Sequence, residues 1–227
     1  MGIIGRFLKL PIYGGVATLG AHFIWTRHST VEPLPTTDYL FTSPSYKKLN
    51  PDQNAVLSDV CIRRVPLSQI DPRLLEKKGK LVEAFCAGVW GGFGYDVQRK
   101  YMAKKYLNAD TARTSLWSKN ALVTSSYEVG TEITDHFKVL EKTDNRIIVR
   151  CGDTPSKTGV RESDGLFEMS VDVKKDQDVA VFYLKSVFFN GLSGPKEGPG
   201  PMPYHIELLH REYDKIWMES ALRNVYA

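Results

Sequence analysis

The sequence predicts an α+β fold, an antiparallel sheet carrying one long carboxy-terminal helix, with a hydrophobic helix at the amino terminus. Three observations predict it. Ile206, Leu209, Tyr213, Ile216, Trp217 and Ala221 recur at three- and four-residue spacings, which makes one apolar stripe on a helix over Met202 to Val225. Glu207, Arg211, Glu212, Asp214, Lys215, Glu219 and Arg223 fill the rest of its circumference. Before it, Val123 to Phe189 is rich in β-branched and aromatic residues at alternating positions. The third observation is the uncharged run Leu10 to Trp25.

That run has Arg6 and Lys9 before it and Arg27 and His28 after it, and no acidic residue precedes Glu32. Its sixteen residues fall just short of the roughly 17–25 that a membrane span needs. Ile3, Ile4, Phe7 and Leu8 extend it if the two cations snorkel, and Tyr13 and Trp25 stand near its ends as interfacial anchors would. The expectation is a single-pass tether through residues 3–25, at a mitochondrial or endomembrane bilayer. A removed targeting segment stays open as the alternative, and the flanking charges leave orientation unresolved.

The division that follows is an anchor over residues 1–30, a Pro-rich linker over 31–57 and a folded domain over 58–227. Pro33, Pro35, Pro44 and Pro51 among Thr, Ser and Asp read as an extended linker, which Tyr39, Phe41 and Tyr46 could pin to the domain. Asp59 to Leu67 alternates, and Pro66 suggests an edge strand. Asp71 and Pro72 open a helix as cap and first residue, with Gly79 a break in it. The four glycines of Gly88 to Tyr95 alternate with Trp90, Phe93 and Tyr95, which suggests the mouth of a cavity. A helix resumes at Asp96.

Val123 to Leu140 reads as one strand, with Val129, Thr131, Ile133, Phe137 and Val139 on one parity. Arg146 to Cys151 and Leu166 to Val173 are further strands. Val179 to Phe189 is apolar on both parities, so it should be central and covered on both faces.

Composition excludes several functions. A net charge of +4 with no basic, aromatic-interleaved run gives no support for nucleic-acid binding. Cys61, Cys86 and Cys151 lack any CxxC spacing, so neither a disulfide framework nor a zinc site is expected. His205 and His210 miss the i,i+4 spacing of a two-histidine metal face, and His210 falls on the charged side of its helix. No metal and no cofactor are therefore expected.

Strand, helices, antiparallel strands and a closing helix is the helix-grip order. Over Ser58 to Val225 the chain resembles the START-like, birch-pollen-allergen superfamily, whose sheet wraps its last helix around a cavity. Asp164-Gly165-Leu166-Phe167, Val187-Phe188-Phe189-Asn190-Gly191, Glu83 to Gly92 and His205 to Leu222 resemble a fungal family of uncharacterised, amino-terminally membrane-anchored proteins. The resemblance implies a fold and a hydrophobic cavity rather than a reaction.

The expected tenant is a hydrophobic small molecule such as a lipid, isoprenoid or polyketide. Trp90, Phe93, Tyr95, Phe137, Phe167, Phe182, Phe188 and Trp217 are the candidate lining residues, with core filling as the alternative. Asp135 falls on the apolar parity, where a lone carboxylate needs a partner. Arg150, Arg161 or Lys185 could pair with it and form a polar handle. If the chain is instead a cyclase or isomerase, Asp135 with His136 or Asp164 would be its acid and base. A structural platform on a membrane complex is the third reading. Ligand identity and oligomeric state are not set by the sequence.

Overall fold

In the computed structural model, the described residues are 20–192 and 202–227. Most of the expected anchor over residues 3–25 lies outside them. Residues 20–26 are helical, and among the described residues no helix is long and apolar enough to cross a membrane.

The chain runs β1 (Ser29–Pro33), α1 (Tyr39–Thr42), α2 (Pro44–Leu49), β2 (Val56–Pro66), α3 (Pro72–Glu76), α4 (Lys80–Gly91) and α5 (Phe93–Tyr106). It continues α6 (Thr111–Thr114), β3 (Ser115–Leu116), α7 (Lys119–Thr124), β4 (Glu132–Ile133), β5 (Phe137–Lys142), β6 (Arg146–Cys151), β7 (Asp164–Lys174), β8 (Val179–Phe189) and α8 (Tyr204–Leu222). The strands make one eight-stranded sheet in the order β1-β2-β8-β7-β6-β5-β4-β3. All pairings are antiparallel except β3 with β4. The α+β class read from the sequence is the class of the fold.

β8 lies between β2 and β7 along its whole length, and its two apolar parities serve two cores. One parity, with Phe182 and Leu184, packs with Met169 and Val149 against Val82, Phe85 and Val89 of α4. The other, with Val187 and Phe189, meets Leu34, Leu40, Tyr46 and Leu49 on the outer face. Those outer residues come from the segment expected as an extended linker. It carries β1, α1 and α2, because Asp38 and Ser43 cap the two short helices and their apolar residues find Val60, Ile148 and Leu166.

Asp71 caps α3 as expected, its carboxylate accepting from the Arg73 amide at 3.0 Å, and Pro72 is the first helical residue. Three expectations need correction. β2 is interior, flanked by β1 and β8, and Pro66 stands only at its end. Val123 to Leu140 is not one strand: Thr134 and Asp135 turn the chain with φ of +48° and +54°, leaving short β4 before and β5 after. The glycines after Ala87 mark close helix packing instead of a cavity mouth. A Cβ on Gly88 would sit 2.2 Å from the Ala221 carbonyl oxygen, so only glycine lets α4 and α8 approach this closely.

The stripe of α8 is also turned from its expected position. Ile206 and Leu209 are exposed, Leu209 by 65%, while Asp214, Trp217, Met218, Ala221 and Leu222 are buried. The helix packs against α4, α5 and the β1–β2 side of the sheet. Two acidic residues expected to face solvent, Asp214 and Glu219, therefore face protein.

Candidate functional site

α5, α8 and the helix-side face of the sheet enclose a pocket of about 440 Å³. Met102 and Tyr106 of α5, Phe137, Phe167 and Phe188 of the sheet, and Tyr213 and Trp217 of α8 form its apolar walls. Trp217 is held in place at its floor. Its indole N–H donates to the Gly94 carbonyl at 3.1 Å, and the Tyr213 hydroxyl donates to the same oxygen at 2.8 Å. Edge-on rings of Trp90, Tyr95 and Phe167 surround it, with centroids 5.5–5.6 Å away. Such contacts favour a rigid aromatic surface.

The eight expected lining residues thus divide. Phe137, Phe167, Phe188 and Trp217 line the pocket. Trp90 and Tyr95 are fully buried behind that wall, and Phe182 packs on Phe85 in the core at 5.0 Å. Phe93 is 65% exposed, in a shallow apolar groove with Val97 and Ile216.

The expected polar residues are not brought together. Asp135 is half-buried in its turn and accepts from the Thr154 hydroxyl at 2.9 Å. None of Arg150, Arg161 and Lys185 pairs with it among the described residues. Arg150 instead clasps Asp164 through two bonds of 2.8 and 2.5 Å, and both are buried. Arg161 donates to the Lys157 and Asp153 carbonyls, so these two arginines tie down the loop before β7. Lys185 bridges Asp38 at 2.8 Å and Glu168 at 2.9 Å beneath the outer-face segment. The handle fails because β6, β7 and β8 present Arg150, Asp164 and Lys185 to the face opposite α8, together with Ile148, Leu166 and Val187, and Arg161 stays in the loop. His136 does reach the pocket, with its ring 4.4 Å from that of Tyr106.

A different polar group stands at the pocket wall. His210 and Asp214 lie one turn apart on α8, and Asp59 rises from β2 beneath them. His210 Nε2 is 3.1 Å from Asp214 Oδ2 and 3.4 Å from Asp59 Oδ1. Both aspartates are buried, and Phe188 covers the imidazole edge-on at 5.1 Å. None of the two Asp59 oxygens, Asp214 Oδ2 or His210 Nε2 makes a contact with hydrogen-bond geometry among the described residues.

Burial pushes the Asp214 carboxyl up, to about 7, with His210 opposing and Asp59 adding to the rise. For His210, burial lowers the pKa, yet the Asp214 and Asp59 carboxylates outweigh it and the net shift is upward. Cys61 lies two residues from Asp59, buried, and its thiol is pushed up by burial and then by those same carboxylates. Cys151 also borders the pocket, and burial pushes its thiol up to about 12, which leaves it an inert structural thiol.

Sequence reasoning passed over this trio. The i,i+4 pair of His210 and Asp214 was visible as a spacing, whereas Asp59 joins it only through the packing of α8 on β2. The chain matches no protein-family model, no curated protein and no solved structure.

Proposed function

We propose that this chain is a binding domain for a hydrophobic small molecule, of the lipid, isoprenoid or polyketide kind, held between α8, α5 and the sheet. The pocket carries the reading. Its volume of about 440 Å³ falls within the roughly 300–1,000 Å³ of ordinary small-molecule sites, and aromatic and sulfur-bearing side chains dominate its walls. The element order, a sheet closed by one long helix, is compatible with a helix-grip architecture and supports the same reading. In this proposal residues 3–25 tether the domain to a bilayer, a part that rests on the sequence alone. A solid core would have favoured the structural platform, and the pocket removes that argument.

The test is native mass spectrometry of the full chain after mild extraction, followed by titration with a pyrene-labelled fatty acid. A co-purifying lipid, or saturable probe uptake at one equivalent that Phe167→Trp abolishes by filling the pocket, is the expected result. No bound lipid together with no probe uptake would overturn the proposal.

The Asp59–His210–Asp214 group favours one second reading, a cyclase or isomerase acting on such a ligand. Its acid and base would then be these residues and not Asp135 with Asp164, which is locked to Arg150 on the other face. Under that reading Asp214→Asn keeps probe binding and loses turnover, and a product profile unchanged by the substitution would dismiss it.

A further inference from the structure

We propose that Asp59, His210 and Asp214 form a site for one divalent transition-metal ion of the zinc class, open on the pocket side. This goes beyond the binding of an apolar ligand and does not depend on it.

The donors have the spacing such an ion needs. Two ligand atoms each about 2.1 Å from one ion lie roughly 3.0–3.4 Å apart at tetrahedral or octahedral angles. The imidazole nitrogen lies 3.1 and 3.4 Å from its two carboxylate oxygens, and all three donor atoms fall within 4.8 Å of one another. Neither oxygen sits where an Nε2–H would donate to it in a hydrogen bond.

Charge points the same way. With both carboxylates ionised, even a protonated His210 leaves a net charge of −1 on the group. A further cation, Arg211, lies 4.0 Å from Asp59 and is engaged at 2.5 Å by Glu207. Asp59 and Asp214 are only 1% and 2% exposed, and a buried carboxylate without hydrogen bonds is costly unless a cation meets it. A divalent ion would neutralise both.

The donor set also selects the class of ion. Calcium and magnesium prefer oxygen alone, whereas one imidazole with two carboxylates suits zinc, cobalt or manganese. His210 and Asp214 both border the pocket, so the remaining coordination positions would open onto it, as in a reactive rather than a structural site.

The experiment strips the full chain with a chelator, then titrates it with Zn²⁺ by calorimetry and with Co²⁺ by absorption spectroscopy. One equivalent of each is expected, the cobalt form showing visible d–d bands and no thiolate charge-transfer band. His210→Ala and Asp214→Asn should each weaken binding by more than the roughly 10–100-fold that loss of a mere supporting residue costs. His205→Ala, at an exposed position, should leave affinity unchanged. Absence of a one-equivalent site, a thiolate band that moves the ion to Cys61, or a His210→Ala protein that binds as the parent does would each overturn the inference. Should the variants not fold, the stoichiometry and spectrum of the unaltered protein decide it. Failure to take up a fatty-acid probe would not bear on this outcome, because no apolar ligand is present in the titration.

Discussion

α8 buries two acidic groups against β1 and β2, about one and a half turns apart, and they are treated differently. Glu219 is paired and hydrogen-bonded: one of its oxygens accepts from the Ser29 hydroxyl at 2.7 Å and from Arg63 Nε at 3.0 Å. Among the described residues Asp214 has only His210 as an ionic partner, which it shares with Asp59, and neither contact has hydrogen-bond geometry. Burial of charge is common to both, so burial alone does not mark a site. What separates them is whether the protein itself completes the charge's partners. The Glu219 cluster fastens the helix to the sheet. The Asp214 cluster sets two buried carboxylates against one imidazole.

That contrast can be broken by substitution, beginning with the fastener. Arg63→Met removes the one cation that pairs with Glu219 among the described residues and leaves that carboxylate buried and uncompensated. The expected loss is about 3–5 kcal/mol, read from the denaturant midpoint. Gly88→Ala attacks the support common to both clusters, because its new methyl group would meet the Ala221 carbonyl at 2.2 Å. Backbone must shift to admit it, at about 1–3 kcal/mol in a thermal melt.

The sharper comparison lies in the other cluster. Asp59→Asn removes one of two carboxylates competing for a single imidazole. In metal-free protein it should leave stability unchanged or raise it by up to about 1 kcal/mol, as relief at a functional site does. A loss as large as that of Arg63→Met would make the two clusters equivalent and end the distinction.

The smallest effect belongs to a third acidic group, Glu83, which pairs with Lys80 at 2.5 Å and Lys142 at 2.8 Å near the surface. Burial raises its pKa, but the two lysines outweigh it and hold the carboxyl below the usual glutamate value. A depressed carboxylate contributes stability above its unfolded pKa and loses it as pH falls through the folded one. Glu83→Gln should cost about 0.5 kcal/mol near neutral pH, and the difference from the parent should vanish in acid.

Much of the architecture was legible along the chain. The double apolar parity of Val179 to Phe189 announced a strand covered on both faces, and β8 is one. The cap at Asp71 and the break at Gly79 divide α3 from α4 where the residues said they would. Alternation through Ile133 and Phe137 misled, because it continues in phase across a turn that Thr134 and Asp135 make at positive φ. The apolar stripe of α8 pointed to a helix but not to its buried side. Two of its six residues, Ile206 and Leu209, remain in water while Asp214 and Glu219 turn inward.

The pocket was legible only as an expectation that aromatics would line it. Four of the eight do. Its polar members were invisible for a physical reason, since strand parity assigns a side chain to a face without saying what that face meets. Arg150, Asp164 and Lys185 meet the outer layer, and Asp59 meets a helix that begins far along the chain.

By itself, the sequence determined the long helices and the long strands, because backbone periodicity, caps and turn residues act over a few neighbours. Tertiary structure alone decided which charges are satisfied. Whether a buried carboxylate finds an arginine, as Glu219 does, or only a shared imidazole, as Asp214 does, depends on which strand lies beneath the helix and at what rotation. Short-range pattern carries no record of either.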